Sequence, residues 1–128
     1  MKTALIILGH GSKSSEAGNA MRKIAAEVVS HGVCEIVEYA FLQHTAPTPQ
    51  EALQKCLQRQ VKRIVIVPLF MQPGVHVERD IPELVKAAKK LYPDVDIVVT
   101  GYAGSSQLMA KVVRDLADSC LEKHQSKC

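Results

Sequence analysis

A chain of 128 residues, 47% hydrophobic and 23% charged, is one globular domain's worth of polypeptide, which excludes two full domains and a disordered chain. Lys and Arg number 16 against 13 Asp and Glu, a surplus too small to mark a nucleic-acid binder but compatible with an anionic small molecule. With no Trp and only three Tyr and two Phe, the core must be built from Val, Ile, Leu and Ala.

The first apolar run, Ala4 to Leu8, is ended by Gly9, too early for a signal core or a membrane span. A cytoplasmic protein with no membrane partner is expected. Cys34, Cys56, Cys120 and Cys128 show no CxxC spacing and read as thiols rather than a disulfide framework.

In chain order, strand and helix patterns alternate four times. Ala4–Leu8 reads as a strand, and Ala17, Met21, Ile24 and Val28 then recur at helical spacing. Ile36–Leu42 is a more mixed strand. Thr48-Pro49-Gln50-Glu51 follows it as a capping box with Pro at the first helical position, ahead of a stripe of Ala52, Leu53, Cys56 and Leu57. Ile64–Val67 is the third strand. Asp80 is placed to cap the third helix with Glu83 three residues on, its inner face Leu84, Val85, Ala88 and Leu91, stopped by Pro93. Val95–Val99 is the fourth strand. Ser105 is placed to cap a last helix whose Leu108, Val112 and Leu116 face inward.

The expectation is a (βα)4 α/β domain over residues 1–121 with a polar tail over 122–128. Continuous apolar strands suit a parallel sheet covered on both faces. The mixed second and fourth strands suit its edges, giving the order 2-1-3-4.

Ligands of such sheets bind beyond the carboxyl ends of the strands, near the switch in strand order. That edge gathers Gly9-His10-Gly11-Ser12-Lys13, Gln43-His44, the segment Pro68–Val77 and Gly101-Tyr102. His10 between two glycines is the sharpest signal, since glycines permit unusual backbone angles and close ligand approach. The amides after it, with Ser12 and Lys13, open toward a helix N-terminus that favours an anion. Phe70, Met71 and Val75 make the 68–77 segment unusually apolar, which suits a floor for a flat ligand or a subunit contact. His76 follows Gly74 on the same edge, and Arg79 reads as part of a solvated helix entrance with Glu78 or, alternatively, as a grip for a carboxylate. His44 is either a third metal-facing group or a strand-end residue. His31 and His124 fall at helix ends, and the i, i+4 pair His124 and Cys128 is weak evidence for a metal site. No GxxxxGK[ST] and no GxGxxG occur, which removes the P-loop and dinucleotide classes.

Leu8-Gly9-His10-Gly11-Ser12, taken with Pro68-Leu69-Phe70, Gly74-Val75-His76-Val77 and Asp80-Ile81-Pro82, resembles the sirohydrochlorin chelatase family in its short, CbiX-type form. Ala40-Phe41-Leu42, Pro47 and Glu51-Ala52-Leu53 fit the same pattern. The resemblance implies a single three-layer chelatase-like domain that inserts a divalent metal into the tetrapyrrole sirohydrochlorin, in cobalamin or siroheme biosynthesis. It implies that His10 and His76 bind the incoming metal and help remove pyrrole protons. Gly11, Ser12, Lys13, Phe70, Met71, Gly74, Val75 and Arg79 would then hold the macrocycle. The metal is a substrate, Co2+ in the first place and Fe2+ or Ni2+ otherwise, with no permanently bound cofactor. The resemblance also implies a homodimer, because short forms resemble half of a longer chelatase.

One departure stands out. Many relatives carry a glutamate where this chain has Gln43, and often another acid where it has Ala46. Gln is no base, and His44 next door is the candidate substitute. The alternatives are a non-catalytic tetrapyrrole or metal carrier using the same surface and, less well supported, a histidine phosphatase-like enzyme, which would need Arg where this chain has Gly9.

Overall fold

In the computed structural model, residues 2–14, 16–72 and 74–124 are described, His76 through its backbone only. Strands β1 (Thr3–Gly9), β2 (Ile36–Phe41), β3 (Arg63–Pro68) and β4 (Asp96–Val99) form one parallel sheet in the order β2-β1-β3-β4. The strands, their order and the edge positions of β2 and β4 match the sequence reading. Leu8 pairs with both Ala40 and Pro68, so the carboxyl ends of three strands finish on one rim.

The helices are α1 (Glu16–Ser30), α2 (Pro49–Gln58), α3 (Val75–Leu91) and α4 (Met109–Lys123), with a 3-10 turn over Ala103–Ser105. Strand side chains alternate between the two faces of the sheet. Ala4, Ile6, Leu8, Ile64, Ile66 and Ile97 pack with Ala52, Leu53 and Cys56 of α2 and Val77 and Ala88 of α3. Leu5, Ile7 and the half-buried Val65 and Val67 point the other way, toward Met21 and Ala25 of α1. This division follows from right-handed crossovers, since the chain steps one way for α1 and the other way for α2 and α3.

The capping box of α2 is present: Thr48 Oγ1 accepts from Glu51 N and Glu51 Oε1 accepts from Thr48 N, both at 3.2 Å. Two other helix starts differ from expectation. Helix α3 begins at Val75, capped by extended Gly74, and Glu78 N donates to Gly74 O at 3.0 Å. Asp80 therefore lies inside the helix and caps nothing. Its Asp-x-x-Glu spacing mimics a cap, while Pro82, which cannot donate back to position 78, is tolerated within the helix. Helix α4 begins at Met109 rather than after Ser105, which ends the 3-10 turn. Ser106 Oγ accepts from Leu108 N at 3.2 Å instead.

The inward face expected of α4 is also corrected. Leu108, Val112 and Leu116 are 61%, 45% and 66% exposed, and α4 buries no residue. Each such side chain forgoes a good part of the roughly 1.5–3 kcal/mol that full burial contributes.

Cys34 and Cys56 are free thiols, but Cys120 is disulfide-bonded, contrary to the reading of all four as thiols. α4 runs to Lys123, and Cys128 with the rest of the 125–128 tail lies outside the described residues.

Candidate functional site

The site is assembled where β1 and β2 keep pairing beyond their ends. Leu42 N donates to Gly9 O at 2.9 Å and Gln43 N to His10 O at 3.0 Å. Gly11 then turns at φ +92°, and a Cβ there would overlap the Gln43 carbonyl. Only glycine fits this crossing, on conformational and steric grounds together. Gly9 is confined differently: a Cβ would meet Met21 Cε at 3.0 Å and Phe41 Cδ1 at 3.1 Å.

Thr45 fastens the loop. Its hydroxyl accepts from Ser12 N at 3.1 Å and donates to Ser12 O at 2.7 Å. The Ser12 N–H is thereby spent and is not an open anion donor as the sequence suggests. Ser12 Oγ accepts from Ser14 N at 3.1 Å, which leaves the hydroxyl hydrogen to donate outward.

His10 stands exposed on this loop, its ring centroid 4.2 Å from that of Phe70 at a 39° tilt. Phe70 is 3% exposed, so it supports the imidazole from beneath. It is not a free face for a ligand. Its carbonyl accepts from Gly104 N at 2.8 Å, and a Cβ at Gly104 would overlap the Met71 carbonyl. The floor is thus pinned to the 3-10 turn.

A cleft of about 380 Å³ opens beside His10, lined also by Leu42, Gln43, Gly74, Val75, Val77 and Asp80. That is within the range of small-ligand sites, roughly 300–1,000 Å³, though at its lower end. His76 lies in the α3 turn that borders it, between Val75 and Val77. A shallower hollow of about 150 Å³, lined by Phe70, Val77, Glu78, Ile81, Thr100 and Tyr102 among others, continues along the rim toward β4.

Of the residues expected at the site, the structure brings His10, Gln43, Gly74 and Val75 to one cleft. Gly11, Ser12 and Lys13 lie on the adjoining loop. Met71 is 65% exposed near the rim, and Arg79 is exposed on α3. His44 is exposed at φ +65° beside the cleft but is not among the residues lining it. Asp80, read from sequence as a cap, lines the cleft one turn beyond His76. The i, i+4 spacing of His76 and Asp80 was the available signal. Among the described residues no three His, Cys, Asp or Glu side chains converge into a group that could hold a metal ion.

Away from the cleft, burial pushes the Cys56 thiol up to about 12, with the Glu38 charge adding to the effect and Arg59 opposing it. That thiol is therefore no nucleophile.

Comparison with known proteins places this geometry. The sirohydrochlorin cobaltochelatase of Methanopyrus kandleri is 41% identical over 81 residues, 63% of this chain and 57% of that protein. The chloroplastic sirohydrochlorin ferrochelatase of Arabidopsis thaliana is 31% identical over 117 residues, 91% of this chain but 52% of its own length. This chain thus spans little more than half the length of these relatives. The cobaltochelatase of Sulfolobus acidocaldarius, 29% identical, is matched over 91% of both chains. Among solved structures, the sirohydrochlorin chelatase SirB of Bacillus subtilis in complex with cobalt superposes with a TM-score of 0.83 at 26% identity, over 93% of this chain and 51% of that one. A CbiX protein of Marinobacter aquaeolei, 22% identical, shares the fold with a TM-score of 0.83 over 94% of this chain and 98% of its own. The CbiX family pattern matches residues 4–120, and this chain belongs to the CbiX family.

Proposed function

We propose that this chain inserts a divalent metal ion into sirohydrochlorin, with cobalt the first candidate and ferrous iron or nickel the alternatives. The observation that carries the reading is that His10 and the α3 turn bearing His76 border one cleft at the carboxyl edge of the sheet. The Methanopyrus, Arabidopsis and Sulfolobus relatives, sirohydrochlorin cobaltochelatases and a ferrochelatase, support the substrate.

The chemistry follows from the residue types. Neutral imidazole is a good ligand for cobalt, nickel and ferrous iron, and its ordinary pKa suits proton abstraction near neutrality. His10 and His76 each lend one nitrogen to the metal in transit. Two imidazoles hold the ion loosely enough to release it to four ring nitrogens. Once the ion has passed, each imidazole takes one pyrrole proton. One M2+ enters, two protons leave, and charge balances. Leu42, Val75 and Val77 lie against the macrocycle, with Met71 and Gly74 at its edge. The Gly11-Ser12-Lys13 loop and Arg79 receive its carboxylates. Gln43 in the cleft wall can orient the ring by hydrogen bonding but cannot take a proton, and His44 on the rim is assigned the accessory role.

The protein acts in the cytoplasm, binds neither nucleic acid nor membrane, and works as a homodimer. Among the described residues no helix is long and apolar enough to cross a membrane. The 1–121 unit with a short tail is the working domain.

The test is an anaerobic absorbance assay of sirohydrochlorin with each metal, comparing wild type, His10→Ala, His76→Ala and no protein. Metal-dependent spectral change that outpaces the blank and collapses in the variants is expected. Gln43 in the wall favours one second reading, a tetrapyrrole or metal carrier. Binding of the ring without acceleration for any metal would establish it, and Gln43→Glu would then be the first change to make.

A further inference from the structure

The cleft beside His10, at about 380 Å³, is at the low end for a small-ligand site, and a carboxylate-bearing tetrapyrrole overfills it. The neighbouring surface is the hollow of about 150 Å³ between α3 and β4. The first turns of α3 form the ridge between the two. Val77 lines both, Asp80 lines the cleft and Glu78 the hollow, as flanking positions on a helix of about 3.6 residues per turn require.

The hollow is walled by Val99 of β4, 40% exposed. Its side chain falls on the α3 side of the sheet, because strand residues alternate and Ile97, two positions earlier, is buried there. Half-buried Ile81 and the buried Phe70 complete the apolar lining, and the Phe70 ring also supports His10. Among the described residues that line it there is no Lys, Arg or His, and Glu78 has no ion pair. Of its two hydroxyl-bearing residues, Thr100 spends its hydrogen on Gly101 O at 2.8 Å, which leaves the phenol of Tyr102 alone to meet a polar group. Such a surface repels a carboxylate and receives an alkyl group.

Sirohydrochlorin carries acetates and propionates around its whole edge. Its alkyl substituents are confined to its two reduced rings, where one saturated carbon of each bears a methyl group. That carbon also bears an acetate, and the two groups project to opposite faces of the macrocycle.

We infer that the hollow receives one of these methyl groups and thereby sets which face of the macrocycle lies on the protein. This deepens the chelatase reading above and rests on it. With the methyl turned inward, its geminal acetate points to solvent, away from Glu78. The opposite face would press an acetate onto Ile81 and Val99 beside a second carboxylate, and an anion desolvated without a partner is costly. The ring is seated one way up over His10, with Val77, Ile81 and Val99 as the specificity-determining residues.

The experiment uses the full chain and two probes: sirohydrochlorin, and uroporphyrin III, which keeps acetates and propionates around its edge and lacks both methyl groups. Binding of each metal-free ring is titrated by absorbance, and cobalt insertion into sirohydrochlorin is timed. Wild type should bind sirohydrochlorin at least about tenfold more tightly than uroporphyrin III, the usual worth of a methyl-sized group in an apolar pocket. Val99→Phe fills the hollow from the sheet side. It should weaken sirohydrochlorin about tenfold, through KM far more than kcat, and leave uroporphyrin III where it was, so that the discrimination disappears. Glu78→Gln should narrow the discrimination about threefold by admitting an acetate. Folding is checked by circular dichroism, and Val99→Met fills the hollow if Val99→Phe does not fold. Equal weakening of both rings, or discrimination that survives a filled hollow, would overturn the inference and leave the chelatase reading standing. Wild-type protein that inserts no metal would overturn the chelatase reading instead, and the two binding titrations would still decide the hollow.

Discussion

The hydroxyl of Thr45 is bonded to both backbone groups of Ser12, accepting at 3.1 Å and donating at 2.7 Å. The residues are 33 positions apart, and the two bonds act as a one-residue extension of the sheet. They fix the loop that carries His10.

Thr45→Val keeps the side-chain shape and removes both bonds. At about 0.5–1.5 kcal/mol per bond the variant should lose about 1–3 kcal/mol, read by urea unfolding. Metal insertion should fall about tenfold, while Thr45→Ser restores most of it. In a His10→Ala background the same change should cost little further activity, because the two residues act through one loop. Full additivity would detach Thr45 from His10.

Gly11→Ala should be far more damaging. The left-handed backbone alone costs roughly 1–2 kcal/mol, and overlap with the Gln43 carbonyl forces the β1 and β2 extensions apart. Expected is a loss of at least ~3 kcal/mol, or failure to fold. A variant as stable as wild type would show that the loop crosses elsewhere.

His10→Ala separates chemistry from stability. The ring is exposed and rests on Phe70 by one face, so unfolding should shift by less than ~1 kcal/mol. The insertion rate should drop by ~10²–10⁴, the usual worth of a positioned acid–base group. Asp80→Asn, one turn past His76 in the cleft wall, should reduce the rate less, about tenfold, if the carboxylate serves to orient the imidazolium. His44→Ala with unchanged rate and metal dependence would remove His44 from the machinery.

Cys56 sets a pH signature. Its thiol titrates near 9.0 when unfolded and is pushed up to about 12 in the fold. A raised pKa contributes stability that is intact below the unfolded value and is lost as pH rises from it toward 12. The slope approaches ~1.4 kcal/mol per pH unit in that window. Cys56→Ala should flatten stability between pH 9 and 11. At pH 8 a thiol reagent should modify Cys34 and spare Cys56, and rapid labelling of Cys56 in the native protein would contradict its burial.

The sheet was legible because its runs, Ala4–Leu8 and Ile64–Val67 above all, are apolar enough to need cover on both faces. α2 was legible because Thr48 and Glu51 do form the reciprocal cap their spacing encodes. α3 was misread at its start because Asp80 and Glu83 imitate that spacing, while the true cap, Gly74, carries no side chain to announce itself. The same error hid Asp80 from the site. For α4, periodicity identifies Leu108, Val112 and Leu116 as sharing a face but is silent on which surface they meet. His10 was visible from its glycines. Its support on Phe70 and its fastening by Thr45 were not, since both are contacts between distant segments.

Gly104 sits at the base of α4 and donates to the carbonyl of Phe70, whose ring underlies His10. One short path of contacts thus links the 3-10 turn ahead of α4 to the ring of His10. Gly104→Ala, whose Cβ would overlap the Met71 carbonyl, should consequently displace the support of His10 from a distance and lower the insertion rate.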